Sequence, residues 1–97
     1  MYIIRDIFRT KPGKAKDLVG RFKKTIPIMQ KEGFQNPRVM TDIVANYWTV
    51  ILEAEVDNLG TFEQHSRNFT SRPEVAEIMK GYMDLVDGGH REIFKVE

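Results

Sequence analysis

From Tyr47 to Val56 the chain alternates without a break: Trp48, Val50, Leu52, Ala54 and Val56 make one wholly apolar face, and Tyr47, Thr49, Ile51, Glu53 and Glu55 a mixed one. A period of two, in a run rich in aromatic and β-branched side chains, specifies a strand that packs on a core through one face. Such a strand needs neighbours. Residues 35–44 (QNPRVMTDIV) read as a strand joined to 47–56 by a turn at Ala45-Asn46. Residues 2–9 (YIIRDIFR) form another, with Tyr2, Ile4, Asp6 and Phe8 on one face and Ile3, Arg5, Ile7 and Arg9 on the other. Lys11-Pro12-Gly13 stops it, and His90 to Val96 make the last strand.

Between the strands the hydrophobic period lengthens. From Lys14 to Glu32, Ala15, Leu18, Val19, Phe22, Ile26 and Met29 share one helical stripe, with Lys16, Asp17, Arg21, Lys23 and Lys24 off it. Pro27 predicts a kink near the end, and Gly33 is suited to the residue just beyond the helix. Asp57 or Asn58 can cap a short helix over about residues 59–70, with Leu59, Phe62, Ser66 and Phe69 inward. Ser71-Arg72-Pro73-Glu74 has the pattern of a capping box. It opens a further helix with Val75, Ile78, Met79, Tyr82 and Val86 on its stripe, ended by Gly88-Gly89.

The order is β-α-β-β-α-α-β, an α+β ferredoxin-like arrangement with its second helix divided, its helices on one face of a four-stranded antiparallel sheet. Ninety-seven residues suffice for one core and not for two, so residues 1–97 form a single domain. The other sheet face would carry Ile3, Ile7, Tyr47 and Ile51, too apolar to stay wet, and a second copy of the sheet is the simplest cover. A homodimer with face-to-face sheets is therefore expected.

Composition narrows the chemistry. The chain has no cysteine, which excludes disulfides and thiolate sites, and only His65 and His90 supply imidazole. A net charge of +1 gives no electrostatic case for nucleic acid or for an anionic membrane. The apolar start Met1-Tyr2-Ile3-Ile4 is broken by Arg5 and Asp6, too early for a signal-peptide core, so the expected location is the cytoplasm.

Arg9-Thr10-Lys11-Pro12-Gly13-Lys14, Gly33-Phe34, and Val50-Ile51-Leu52-Glu53 followed by Leu59-Gly60-Thr61-Phe62-Glu63-Gln64-His65 resemble the dimeric α+β barrel proteins. Within that superfamily the chain looks most like the antibiotic-biosynthesis-monooxygenase and NIPSNAP-type members. The resemblance implies a dimer of ferredoxin-like subunits with a small pocket between helices and sheet. It leaves the reaction open, because the scaffold carries oxygenases, isomerases and haem enzymes alike. The haem-degrading members use a strand Asn, a helix Trp and an iron-binding His. Here those places hold Asp6, His65 and Met79 or Lys80, so neither haem nor any other cofactor is expected.

Asp6 and His65 are the candidate catalytic residues. A carboxylate among apolar neighbours suits a general base unless it is paired, and His65, one step off the Phe62–Phe69 stripe, could complete a dyad with it. Such a dyad would take a proton from a phenol or enol and leave an electron-rich anion for oxygen. Structural readings compete: an ion pair for Asp6, a half-exposed helix residue for His65. Trp48 and Tyr82 are candidate substrate-binding residues, against a plain core role. His90 and Glu92 read as a strand end, two ligands being too few for a metal. Two functions follow: a cofactor-independent monooxygenase-like enzyme acting on a small hydrophobic or aromatic compound, or a non-catalytic small-ligand-binding or assembly protein.

Overall fold

The computed structural model describes residues 1–97. Four antiparallel strands, ordered β2-β3-β1-β4, form one sheet: β1 (Tyr2–Thr10), β2 (Gln35–Thr41), β3 (Thr49–Val56) and β4 (Val86–Lys95). Helices α1 (Ala15–Lys31), α2 (Leu59–Thr70) and α3 (Pro73–Ile78) lie over one face, and a 3-10 turn at Tyr82–Leu85 leads into β4. The shortest axis is 18 Å, the thickness of one helix layer on one sheet. This is the ferredoxin-like order that the sequence predicts. No helix is long and apolar enough to cross a membrane.

The core lies between α1 and the even-numbered face of the central strands. Leu18, Phe22 and Met29 of α1 meet Ile4 of β1 and Val50, Leu52, Ala54 and Val56 of β3, all buried. Thr25 is buried on the same stripe, its hydroxyl donating to the Phe22 carbonyl at 2.7 Å. Helix α1 closes as a Schellman motif: Gly33 takes φ +95°, its N–H reaches the Gln30 carbonyl, and Phe34 N–H reaches that of Met29. Asn58 caps α2 by accepting from Gly60 N–H at 2.7 Å.

Three local expectations fail. The last helix is six residues long, because Gly81 turns left-handed at φ +78° and the chain is already β4 at Val86. Gly88 and Gly89 lie inside that strand, where a Cβ on Gly89 would stand 2.7 Å from the Ile7 carbonyl oxygen, so the glycine serves close strand approach. The Ser71–Glu74 pattern forms no capping box: Ser71 ends α2 with its hydroxyl on the Asn68 carbonyl, and Arg72 is the uncapped N-cap of α3. Finally, residues 42–48 form a loop rather than a tight turn. Tyr47 therefore belongs to no sheet face, and Trp48 sits just before β3 at φ +64° instead of inside the strand.

Candidate functional site

Register creates the site. Antiparallel pairing sets Ile4 against Ile93 and Asp6 against Arg91, all on the helix side of the sheet. Arg91 answers Asp6 with both arms of its guanidinium: Nε donates to Oδ1 at 2.5 Å and Nη2 to Oδ2 at 3.2 Å. This fork geometry is the strong form of the pair. The guanidinium also lies 5.2 Å above the Phe62 ring of α2, a cation–π contact. Its hydrogen bonds to Asp6 raise the Arg91 pKa above its already high ordinary value, against partial desolvation. Arg91 is a fixed cation.

Beside this pair the helix layer leaves a cavity of about 310 Å³. Phe8 and Leu52 floor it, while Phe22, Phe69, Val75, Met79 and Tyr82 wall it. A smaller chamber of about 100 Å³ continues towards Phe34, Phe62 and Ser66, again sharing Asp6 and Arg91. Those two are the only charged residues on either wall. The aromatic walls brace one another, Phe8 lying tilted 5.4 Å from Phe22 and edge to face 6.4 Å from Tyr82 between ring centres. Wall polarity is otherwise small, since Thr25 and Thr70 spend their hydroxyls on helix carbonyls. An apolar chamber of this size with one convergent polar point has the make-up of a small-molecule site. Helix α2 contributes no fully buried residue, so it is the most lightly held wall.

The four residues singled out in the sequence do not converge. Asp6 and Tyr82 line the main cavity. His65 lines neither chamber: its ring packs on Phe34 at 6.1 Å and covers Gly33, where a Cβ would come within 2.9 Å of its Cε1. The carboxylate expected to orient His65 is instead occupied by Arg91. Trp48 lies at the other end of α1, beside Ala15, Lys16 and Val19. Met79 lines the cavity as an apolar wall. His90 is exposed, its Nε2 3.1 Å from Glu92, on a shallow polar groove of about 220 Å³ with Arg9 and Asp87. Sequence reasoning missed Arg91 because the last strand was read through its other face, His90, Glu92 and Phe94. The signal was a cation on an apolar alternation with Ile93, in the strand that had to pair with the one carrying Asp6.

Fold and cavity together define a class: a ferredoxin-like α+β protein with an open pocket between its helices and its sheet. No protein-family model and no curated protein matches the chain. Solved structures match along its whole length. A NIPSNAP family protein of unknown function from Agrobacterium tumefaciens superposes with a TM-score of 0.86 at 12% identity, covering 99% of this chain and 87% of that one. An uncharacterized NIPSNAP domain protein from Burkholderia xenovorans gives 0.83 at 9% identity, covering 100% and 95%. An antibiotic biosynthesis monooxygenase-like protein from Chloroflexus aurantiacus gives 0.71 at 16% identity, covering 99% and 94%. At these identities the likeness is one of fold.

Proposed function

We propose that the chain binds a small hydrophobic or aromatic compound in the helix–sheet cavity and acts on it as a cofactor-independent monooxygenase-like enzyme. The observation that carries the reading is the single ion pair, Asp6–Arg91, set in an otherwise apolar wall. An acidic hydroxyl of a bound phenol or enol would face both groups. The incoming hydroxyl would displace one Arg91–Asp6 bond, so that the freed Asp6 oxygen takes its proton while Arg91 holds the resulting anion. The substrate itself then reduces dioxygen, one oxygen atom replacing two hydrogens on a substrate carbon and the other leaving with them as water. Positioned proton transfer of this kind contributes roughly 100- to 10,000-fold. In this reading Arg91 replaces His65 beside Asp6, and Tyr82 stays as a wall that offers a phenol. Oxygen consumption with a panel of quinols and phenolic polyketides tests it. A wild-type chain inactive across the panel would reject catalysis.

A second reading has its own support. Both Asp6 oxygens are already bonded to Arg91, which suits a resting structural pair and a non-catalytic ligand-binding protein. Thermal shift on the same panel separates the two, since stabilisation without turnover identifies the binding protein.

The homodimer belongs to the same proposal. Across the open sheet face, Met40, Ile51 and Ile7 form one register row, and Ile3 and Phe94 stand on another. Between them run Arg38, Glu53, Arg5 and Glu92, alternating in sign across all four strands. Apolar patches on either side of an alternating charged row suit a second copy in antiparallel juxtaposition, although the first row ends at His90 and the second also carries Glu55 and Gln35. Such an interface would bury roughly 2,000 Å² or more in total. Light scattering should give twice the chain mass, and a stable monomer at micromolar concentration would reject the dimer.

A further inference from the structure

The loop over residues 42–48 turns its apolar side chains to water: Ile43 is 95% exposed, Val44 94%, Tyr47 84% and Trp48 41%. Its base is nevertheless pinned. Asp42 Oδ1 accepts from Thr49 N–H at 2.9 Å, and Thr49 Oγ1 donates to the Asn46 carbonyl at 2.7 Å. The Trp48 carbonyl accepts from Thr10 N–H at 2.8 Å. Trp48 itself stands at φ +64°, a left-handed conformation that a bulky side chain keeps only where its surroundings hold it. The fold thus fixes a rigid stem and leaves an aliphatic tip.

Cations gather at the same end. Residues 9–16 (RTKPGKAK) carry Arg9, Lys11, Lys14 and Lys16 with no carboxylate, and all four are exposed. The Thr10–Trp48 bond ties this turn to the loop, and Lys16 lies beside Tyr47 and Trp48 on a shallow groove. Of the acids nearby, Asp17 pairs with Arg21 at 3.0 Å, while Asp42, bonded only by the neutral Thr49 N–H, and Asp84, next to the Leu85 carbonyl that accepts from Lys11, keep their charge. So does Asp87, on the open-sheet side beside Arg9. The net charge of +1 conceals this cluster, because the rest of the chain is net negative.

We propose that this end of the molecule docks on an anionic lipid surface. Ile43 and Val44 enter the acyl boundary, Tyr47 and Trp48 sit at headgroup level, and Lys11, Lys14 and Lys16 meet the lipid charges, Arg9 lying on the open sheet face. Tyr47 and Trp48 lie against α1, on the helix side of the sheet, so a second copy covering the open sheet face leaves them free. The contact is peripheral and independent of the cavity.

Trp48 is the only tryptophan, so its emission reports the loop directly. The full chain is mixed with vesicles of phosphatidylcholine, with and without about one-third phosphatidylserine, and followed by co-sedimentation and fluorescence. Binding to the anionic vesicles alone is expected, with a blue shift of Trp48 and loss as salt rises. Ile43→Ser with Val44→Ser should weaken binding about tenfold or more, and Lys11→Gln with Lys14→Gln roughly twentyfold. All four positions are exposed, and melts on each variant check that the fold is kept. No binding at low salt, or binding with Trp48 emission unmoved, overturns the proposal. A serine variant with a halved mass in light scattering assigns the tip to a second copy instead. Binding to polyglutamate but not to vesicles assigns it to an acidic protein.

Discussion

The two faces of the sheet use the same chemistry to opposite ends. On the open face Glu53 is 3% exposed and held between Arg5 and Arg38, with Arg5 stacked 5.2 Å from the Phe94 ring. On the helix face Asp6 is 25% exposed and held by Arg91 alone, which lies 5.2 Å over the Phe62 ring. Each is a carboxylate–arginine pair beside an aromatic ring. They differ in company. Glu53 has two cations and no empty volume next to it, whereas Asp6 has one cation and a cavity of about 310 Å³. A doubly paired carboxylate with no adjoining space can only hold strands together. A singly paired one beside space can exchange its partner for a ligand. The contrast teaches that the surroundings of an ion pair, rather than the pair itself, mark a site.

Substitution can break this contrast. The largest effect expected is on the proposed reaction: Asp6→Asn should lower turnover roughly 100- to 10,000-fold while costing about 1 kcal/mol or less in stability, because the pair is half exposed. Oxygen uptake and thermal melts on one preparation measure both. Glu53→Gln reverses the pattern, since it leaves two arginines facing a neutral amide at a buried position. A stability loss of about 2–3 kcal/mol is expected, read as a fall in melting temperature of roughly 10 °C, with turnover retained. Equal destabilisation by the two variants, with turnover unchanged in both, would make Asp6 a second structural pair. Gly33→Ala comes next, at about 1–2 kcal/mol, because it demands φ +95° of a residue with a Cβ and drives that Cβ against His65. His65→Phe is the smallest: the ring stacks on Phe34 outside the cavity, so stability should move by no more than about 0.5 kcal/mol and turnover should hold. A large loss of turnover there would return His65 to the site.

Long periodic segments were legible in the sequence, and glycine punctuation was not. Helix α1 and strand β3 follow their apolar stripes to within two residues of the expected bounds, because many side chains vote on one period. A glycine votes alone. Gly88-Gly89 reads as a helix stop, yet Gly81 breaks the chain and Gly89 lets β4 approach β1, two uses of the same residue that only tertiary pairing separates. Trp48 extends the alternation of β3 on paper, but Thr10 captures its carbonyl and the loop leaves the sheet there. The candidate site was legible by half. Asp6 stands out as a charge on an apolar face, whereas its partner is set by a register between strands at opposite ends of the chain. His65 sits one helix position from the inward stripe, where a shift of a few tens of degrees decides between cavity and surface.

That register has a consequence in time. Asp6 and Arg91 are separated by 85 positions, and β4 leaves the ribosome after β1, β2 and β3. At cellular translation speeds about ten seconds pass between the two residues, while α1 and the β2–β3 hairpin can form within microseconds. In the later part of that interval, once β3 and α2 have been made, the nascent chain can hold most of its helix layer over a three-stranded sheet, with one edge of β1 unpaired and Asp6 uncompensated. A chain interrupted before Arg91 therefore loses its pocket wall and keeps a bare strand edge, the form most prone to stick to its neighbours.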